Sequence, residues 1–171
     1  MEIVSTAWVN GTPEEFELAV GLGLHAPHGR ASRSKPLRVL VLDGFDRLGT
    51  RYRDHLRAGH VELLDASPLT REWGARLQGI PARLNRYETL CFLRWPVLRA
   101  AMAGTPFLHL DLDIFPQPGF ATLAAALEGR TATRGSPCFM AVSDRAWLDS
   151  WCEAILDFDR DPDGTPARLS Y

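Results

Sequence analysis

Hydrophobic positions recur along the chain with two periods, one of two residues and one near three and a half. Ile3 to Val9 is β-branched and aromatic and stops at Asn10-Gly11, which predicts a strand running into a turn. Thr12-Pro13-Glu14-Glu15 then supplies an N-cap, a first-turn proline and a capping-box glutamate. Phe16, Ala19, Val20 and Gly23 follow at helical spacing, so a helix is expected there. His25 to Lys35, with Pro27, Gly29 and several basic residues, reads as a solvated loop. Leu37 to Leu42 is an apolar strand stopping at Asp43-Gly44, Phe45 to Arg57 a polar helical connection, and Val61 to Leu64 a third strand closing at Asp65. Connections this long favour parallel pairing, because a hairpin needs only a few residues and a parallel crossover a dozen or more. The class is therefore α/β.

Arg71 to Ala82 has few periodic apolar positions and resists assignment. Asn85-Arg86-Tyr87-Glu88 is an Asn-x-x-Glu capping box, and Leu90, Cys91, Trp95, Leu98 and Met102 continue a buried helical face that Pro96 is expected to kink or split. Phe107 to Phe115 reads as a strand, Pro118 to Leu127 as an alanine-rich helix closed by Gly129, and Pro137 to Val142 as a further strand. A last helix starts near Ser143 or Asp144 and carries Trp147, Trp151, Ile155 and Phe158 on one face. Neither an internal repeat nor a low-complexity tract interrupts the pattern.

Composition narrows the function classes. With 46% hydrophobic and 23% charged residues among 171, the chain can bury a core, and its length fits one domain spanning residues 1–171. The formal net charge of −2 offers no general attraction for nucleic acid or an anionic membrane. Cys91, Cys138 and Cys152 form no CxxC pair and read as reduced, packed thiols. Neither a secretory pattern at Met1-Glu2-Ile3-Val4-Ser5 nor an apolar run near the ~20 residues of a membrane span is present, which makes the cytoplasm the default compartment.

The chemistry concentrates in Phe107-Leu108-His109-Leu110-Asp111-Leu112-Asp113-Ile114-Phe115-Pro116. On an extended chain the four branched aliphatics share one face, and Asp111 and Asp113 stand together on the other. Either one aspartate caps the next turn while the other faces solvent, or both coordinate a divalent cation or a substrate. The scarcity of aspartate within strands, and the cost of burying an unneutralised carboxylate, favour coordination. His109 shares the face of Asp111, where it is either a satisfied core histidine or a further site group.

Asp-x-Asp on such a strand, preceded by a helix with Glu88-x-x-Cys91-Phe92-x-Arg94-Trp95, resembles the GT-A class of glycosyltransferases, the nucleotide-diphosphosugar transferases. Ser5 to Gly11, Asp43-Gly44-Phe45-Asp46 and Ser136 to Val142 fall in the order such enzymes show. The resemblance implies a single GT-A, Rossmann-like domain with a central, mostly parallel sheet flanked by helices, C-terminally short for that class. It implies that Asp111 and Asp113 hold Mn²⁺ or Mg²⁺ against the donor diphosphate. It also implies that Thr6, Ala7, Trp8, Asn10 and Asp43 meet a UDP- or GDP-sugar, with Arg94 pairing the first aspartate or approaching the donor. The implied activity is metal-dependent sugar transfer to an acceptor the sequence leaves unidentified. A non-catalytic nucleotide or sugar-nucleotide binding module is the alternative.

Asp144, Asp149 and Glu153 lie where an inverting enzyme would keep its base, although Asp144 also suits a helix cap. Asn85 could approach the donor, but the capping box already accounts for it. Two lookalikes fail. Asp159-x-Asp161-x-Asp163-Gly164 opens like a calcium loop, yet Ser170 stands at the twelfth position and Pro162 inside, leaving a solvated acidic tail as the expectation. A haloacid-dehalogenase-type Asp-x-Asp lies near the N-terminus and is followed by Thr or Val, whereas Ile114-Phe115-Pro116 follows here. Zinc spacing, a Gly-x-Ser-x-Gly elbow and a Walker loop are all absent from the sequence.

Overall fold

The computed structural model describes residues 1–9, 11–12, 36–58, 61–112, 114, 119–133 and 137–162. Strands β1 (Glu2–Trp8), β2 (Leu37–Asp43), β3 (Val61–Asp65), β4 (Phe107–Leu110), β5 (Ala132–Thr133) and β6 (Phe139–Val142) form one sheet in the order β3-β2-β1-β4-β6-β5. β3, β2, β1 and β4 are mutually parallel, and β6 runs antiparallel to both β4 and β5. The α/β class and mostly parallel sheet are those the hydrophobic pattern predicts. The helix expected after Thr12 and the loop after it lie outside the described residues, as do Asn10, Asp113 and Pro118.

The chain divides into two compact units. The first comprises Met1–Ser67 and Thr105–Asp144 and holds the sheet; the second includes Pro68–Gly104 and the helix beginning at Arg145. In the first unit, alternate residues of the strands bury one face in two clusters. One gathers Ala7, Val9, Val39, Val41 and Val61 with Leu48 and with Leu56 of helix α1 (Thr50–Ala58). The other gathers Leu108, Leu110 and Ala141 with Phe120 of a later helix, Phe120–Ala126. Val4, Leu40, Leu42, Phe107, Met140 and Val142, which point the other way along their strands, are buried as well. A sheet buried on both faces is the usual condition of parallel strands.

The second unit contains α2 (Ser67–Gly74, begun at the border), α3 (Gly79–Arg83), α4 (Arg86–Met102) and, after α5 (Phe120–Ala126) of the first unit, α6 (Arg145–Arg160). The capping box of α4 forms as predicted, Asn85 accepting from Glu88 N and Glu88 accepting from Asn85 N. Pro96 does not split α4 in two. Leu93, Trp95, Val97 and Leu98 around it are all buried, and that packing outweighs the roughly 3 kcal/mol helical cost of proline. The aromatic face of α6 is also as predicted: Phe158 stacks on Phe92 at 5.5 Å, and Trp151 stacks on Trp147 at 5.9 Å while meeting Trp95 edge-on at 6.4 Å.

Asp159 corrects the expectation of a solvated acidic tail. It ends α6 buried, accepting hydrogen bonds from Gln78 N at 2.9 Å and Ile80 N at 2.6 Å. A Cβ on Gly79 would lie 2.0 Å from the Asp159 carbonyl oxygen, so only glycine fits between the two donors.

Cys152, 1% exposed on α6, is the packed thiol the sequence suggests. Burial pushes it from an ordinary 9.0 up to about 12, Arg99 pulling less strongly the other way. The unfolded thiol ionises above pH 9.0 while the native one holds its proton, so this contribution is complete below pH 9 and lost as pH rises toward 12. The loss is at most ~1.4 kcal/mol per pH unit. Urea midpoints compared at pH 8.5 and 10.5 should fall further in the wild type than in Cys152→Ala; equal falls would show the thiol to be unshielded.

Candidate functional site

The strand order places a crevice before any side chain is considered. From β1 the chain steps outward through β2 to β3, then returns to the opposite side of β1 as β4. Connections leaving β1 and β4 therefore diverge, and ligands of open α/β sheets bind beyond the carboxyl ends at such a switch point. Trp8 and Val9 stand at the end of β1, and Asp111 follows the last residue of β4.

The exit of β1 is held rigidly. Trp8 is paired in register with Asp43 across an irregularity after Ala7, and Val9 N donates to Asp43 O at 3.0 Å. Gly44 adopts φ +78°, and a Cβ there would approach Val9 Cβ to 2.8 Å, so both conformation and space call for glycine. Arg47 donates to Val9 O at 3.1 Å and to Gly11 O at 2.6 Å, tying the segment after β1 to the turn after β2.

The β4 side departs from the sequence expectation. β4 ends at Leu110 and does not continue to Phe115. Asp111 O accepts from Ile114 N at 3.0 Å, making Asp111 the first residue of a turn, a position aspartate favours. Asp111 N donates to Cys138 O at 2.9 Å, just ahead of β6. Leu108, Leu110 and Ile114 pack in one cluster, while Leu112 joins the cluster under β1 to β3. Asp111 is thus a strand-exit residue with its side chain 23% exposed, and not a carboxylate buried within a strand.

Behind Asp111 runs a polar seam. His109, wholly buried, places Nε2 3.3 Å from Thr6 Oγ1 and 3.8 Å from Asp111 Oδ1. Ser5 Oγ donates to Leu110 O at 2.6 Å. His109 is therefore both a core histidine with a partner and a neighbour of the site carboxylate. Ser5, Arg47 and the Cys138 carbonyl escape sequence reasoning; only the Ser5-Thr6 pair, polar within an apolar strand, hinted at the seam.

The other expected residues divide. Ala7 lies in the core cluster under β1 to β3, so its side chain faces away from any ligand. Thr6 is 5% exposed, and Trp8 and Asp43 are half-buried. Arg94 belongs to the second unit, buried, with Nε donating to Cys91 O at 3.0 Å and its guanidinium 5.9 Å from the Trp95 ring. Asp144 is excluded from this site. β6 runs from Phe139 beside Leu110 to Val142 beside Phe107, which carries Asp144 past the amino end of β4. Its amide, with that of Ser143, donates to Thr131 Oγ1. Asp149 is ion-paired with Arg99 at 2.6 Å and Arg145 at 3.0 Å, and Glu153 is exposed on α6.

Among the described residues no group of three His, Cys, Asp or Glu side chains gathers as a metal cage. A hard carboxylate at a strand exit nonetheless suits a small divalent ion, which keeps several waters and completes its shell with substrate phosphate. A groove of about 390 Å³ runs along β3, with its acids engaged: Asp54 by Arg57 at 3.6 Å and Glu62 by Arg38 at 3.1 Å. No described helix is long and apolar enough to cross a membrane. Compared with known proteins, the chain matches no protein family, no curated protein and no solved structure.

Proposed function

We propose that this protein is a metal-dependent glycosyltransferase, moving a sugar from a UDP- or GDP-linked donor to an acceptor hydroxyl. The supporting observation is Asp111 at the exit of β4, at the switch point of the strand order between β1 and β4, with Asp113 two residues on in the sequence. Asp111 and Asp113 would hold Mn²⁺ or Mg²⁺, whose charge stabilises the departing nucleotide diphosphate. Trp8 and Asp43 are the residues for base and ribose, Thr6 lies behind them, and Ala7 contributes backbone alone. Asn10, next along the β1 exit in sequence, is kept as a donor contact, and Arg94 is assigned no step. Arg47 and Gly44 act on the binding surface indirectly, by fixing the chain at Val9 and Gly11.

Calorimetry with UDP and GDP, with and without Mn²⁺, tests the reading. Nucleotide binding that requires Mn²⁺ and is lost in Asp113→Asn is the expected result. Metal-independent binding that survives this substitution would overturn it. Metal-dependent binding with no hydrolysis of any donor sugar would leave the non-catalytic nucleotide-binding module instead.

A further inference from the structure

Resting on the reading of Asp111 as a cation ligand, we infer that Thr6 and His109 are a buried positioning pair that sets the direction of the Asp111 carboxylate. The backbone around Asp111 is fixed from three sides. Ser5 Oγ holds the Leu110 carbonyl at 2.6 Å, one residue beyond the last β1–β4 register pair, Val4 with His109. Cys138 O holds the Asp111 amide, and Ile114 N closes the turn on the Asp111 carbonyl.

His109 stands beside the Asp111 side chain. Its Nε2 stands 3.8 Å from Asp111 Oδ1 and 3.3 Å from Thr6 Oγ1, at a position 0% exposed. The imidazole is hydrogen-bonded to the Thr6 hydroxyl and its Nε2 stands against the Asp111 carboxylate, in polar contact beyond direct hydrogen-bond distance. Thr6 in turn holds the imidazole plane from the neighbouring strand. Burying an imidazole and a hydroxyl among Val4, Phe107 and Met140 costs more than burying aliphatics of the same size. A core that needed only filling would use leucine and valine. Partners behind a ligating side chain orient it, and their loss typically weakens metal affinity 10- to 100-fold.

The test measures Mn²⁺ affinity in the presence of UDP, by electron paramagnetic resonance of the free ion, together with the melting temperature. Thr6→Val should bind Mn²⁺ about 10-fold more weakly and melt a few degrees lower, since the buried imidazole loses that hydrogen bond, and Thr6→Ser, which restores the hydroxyl, should recover most of both. His109→Gln, which keeps a donor, should bind more tightly than His109→Leu. Wild-type affinity in Thr6→Val, or equal weakening in Thr6→Val and Thr6→Ser, would overturn the positioning role while leaving the metal reading intact. A wild type that takes up no Mn²⁺ even with UDP would remove the metal reading itself, and the pair's role with it.

Discussion

Asp111→Asn should lower hydrolysis of the nucleotide-sugar donor about 100-fold or more, equivalent to ~2.7 kcal/mol of lost transition-state stabilisation. The substitution keeps the volume of the side chain and leaves untouched the backbone bonds to Ile114 and Cys138 that form the turn. Its melting temperature should therefore stay close to that of the wild type. The amide still offers one oxygen to a cation but no formal charge, so the loss should fall on the step in which the diphosphate departs. Donor hydrolysis, with water as acceptor, is the assay, because it needs no knowledge of the natural acceptor. A rate within threefold of wild type, in a protein with normal thermal stability, would detach Asp111 from the chemistry.

The largest effect on stability is expected in the second unit. Asp159→Ala removes the acceptor of two backbone amides, Gln78 N and Ile80 N, the second of them in a buried contact. Each unsatisfied buried donor costs roughly 1–3 kcal/mol, so the loss is about 3 kcal/mol and the melting temperature falls by about 6–12 °C for a chain of this size. Asp159→Asn keeps one acceptor oxygen and should lose about half as much. Gly79→Ala reaches the same contact from the other side, since its new methyl group would overlap the Asp159 carbonyl. A melting temperature within 2 °C of wild type for Asp159→Ala would show that water replaces the carboxylate.

These two aspartates also mark how far the sequence could be read. Asp111 stands out in the sequence as a candidate because its signals are local: an apolar strand and an acidic pair. The end of its strand was not legible. Alternation from Leu108 to Ile114 reports where side chains point, whereas a strand ends where its partner's hydrogen bonds do, and pairing with β1 reaches only Val4 and His109. Asp159 was misread because its partners lie about 80 residues earlier in the chain, in the stretch from Arg71 to Ala82 that carried no periodic signal. α2 and α3 are short, and α3 draws its N-terminal acceptor from that distant carboxylate, so propensity alone could not announce them. By contrast β1 to β3, with long connections, and α4, with a cap written into four residues, followed from the sequence directly. Asp144 shows the limit of reading position as proximity: it follows the Asp-x-Asp strand in sequence, yet an antiparallel β6 delivers it to the opposite end of the sheet, past the start of β4.

The reversed direction of β6 has an engineering consequence. β5 ends at Thr133 and β6 begins at Phe139, both at the end of the sheet where Asp111 emerges. Residues spliced in ahead of Cys138 would leave the pairing of β6 with β4 and β5 in place, so chain can be added next to the Asp111 carboxylate without unpicking the sheet.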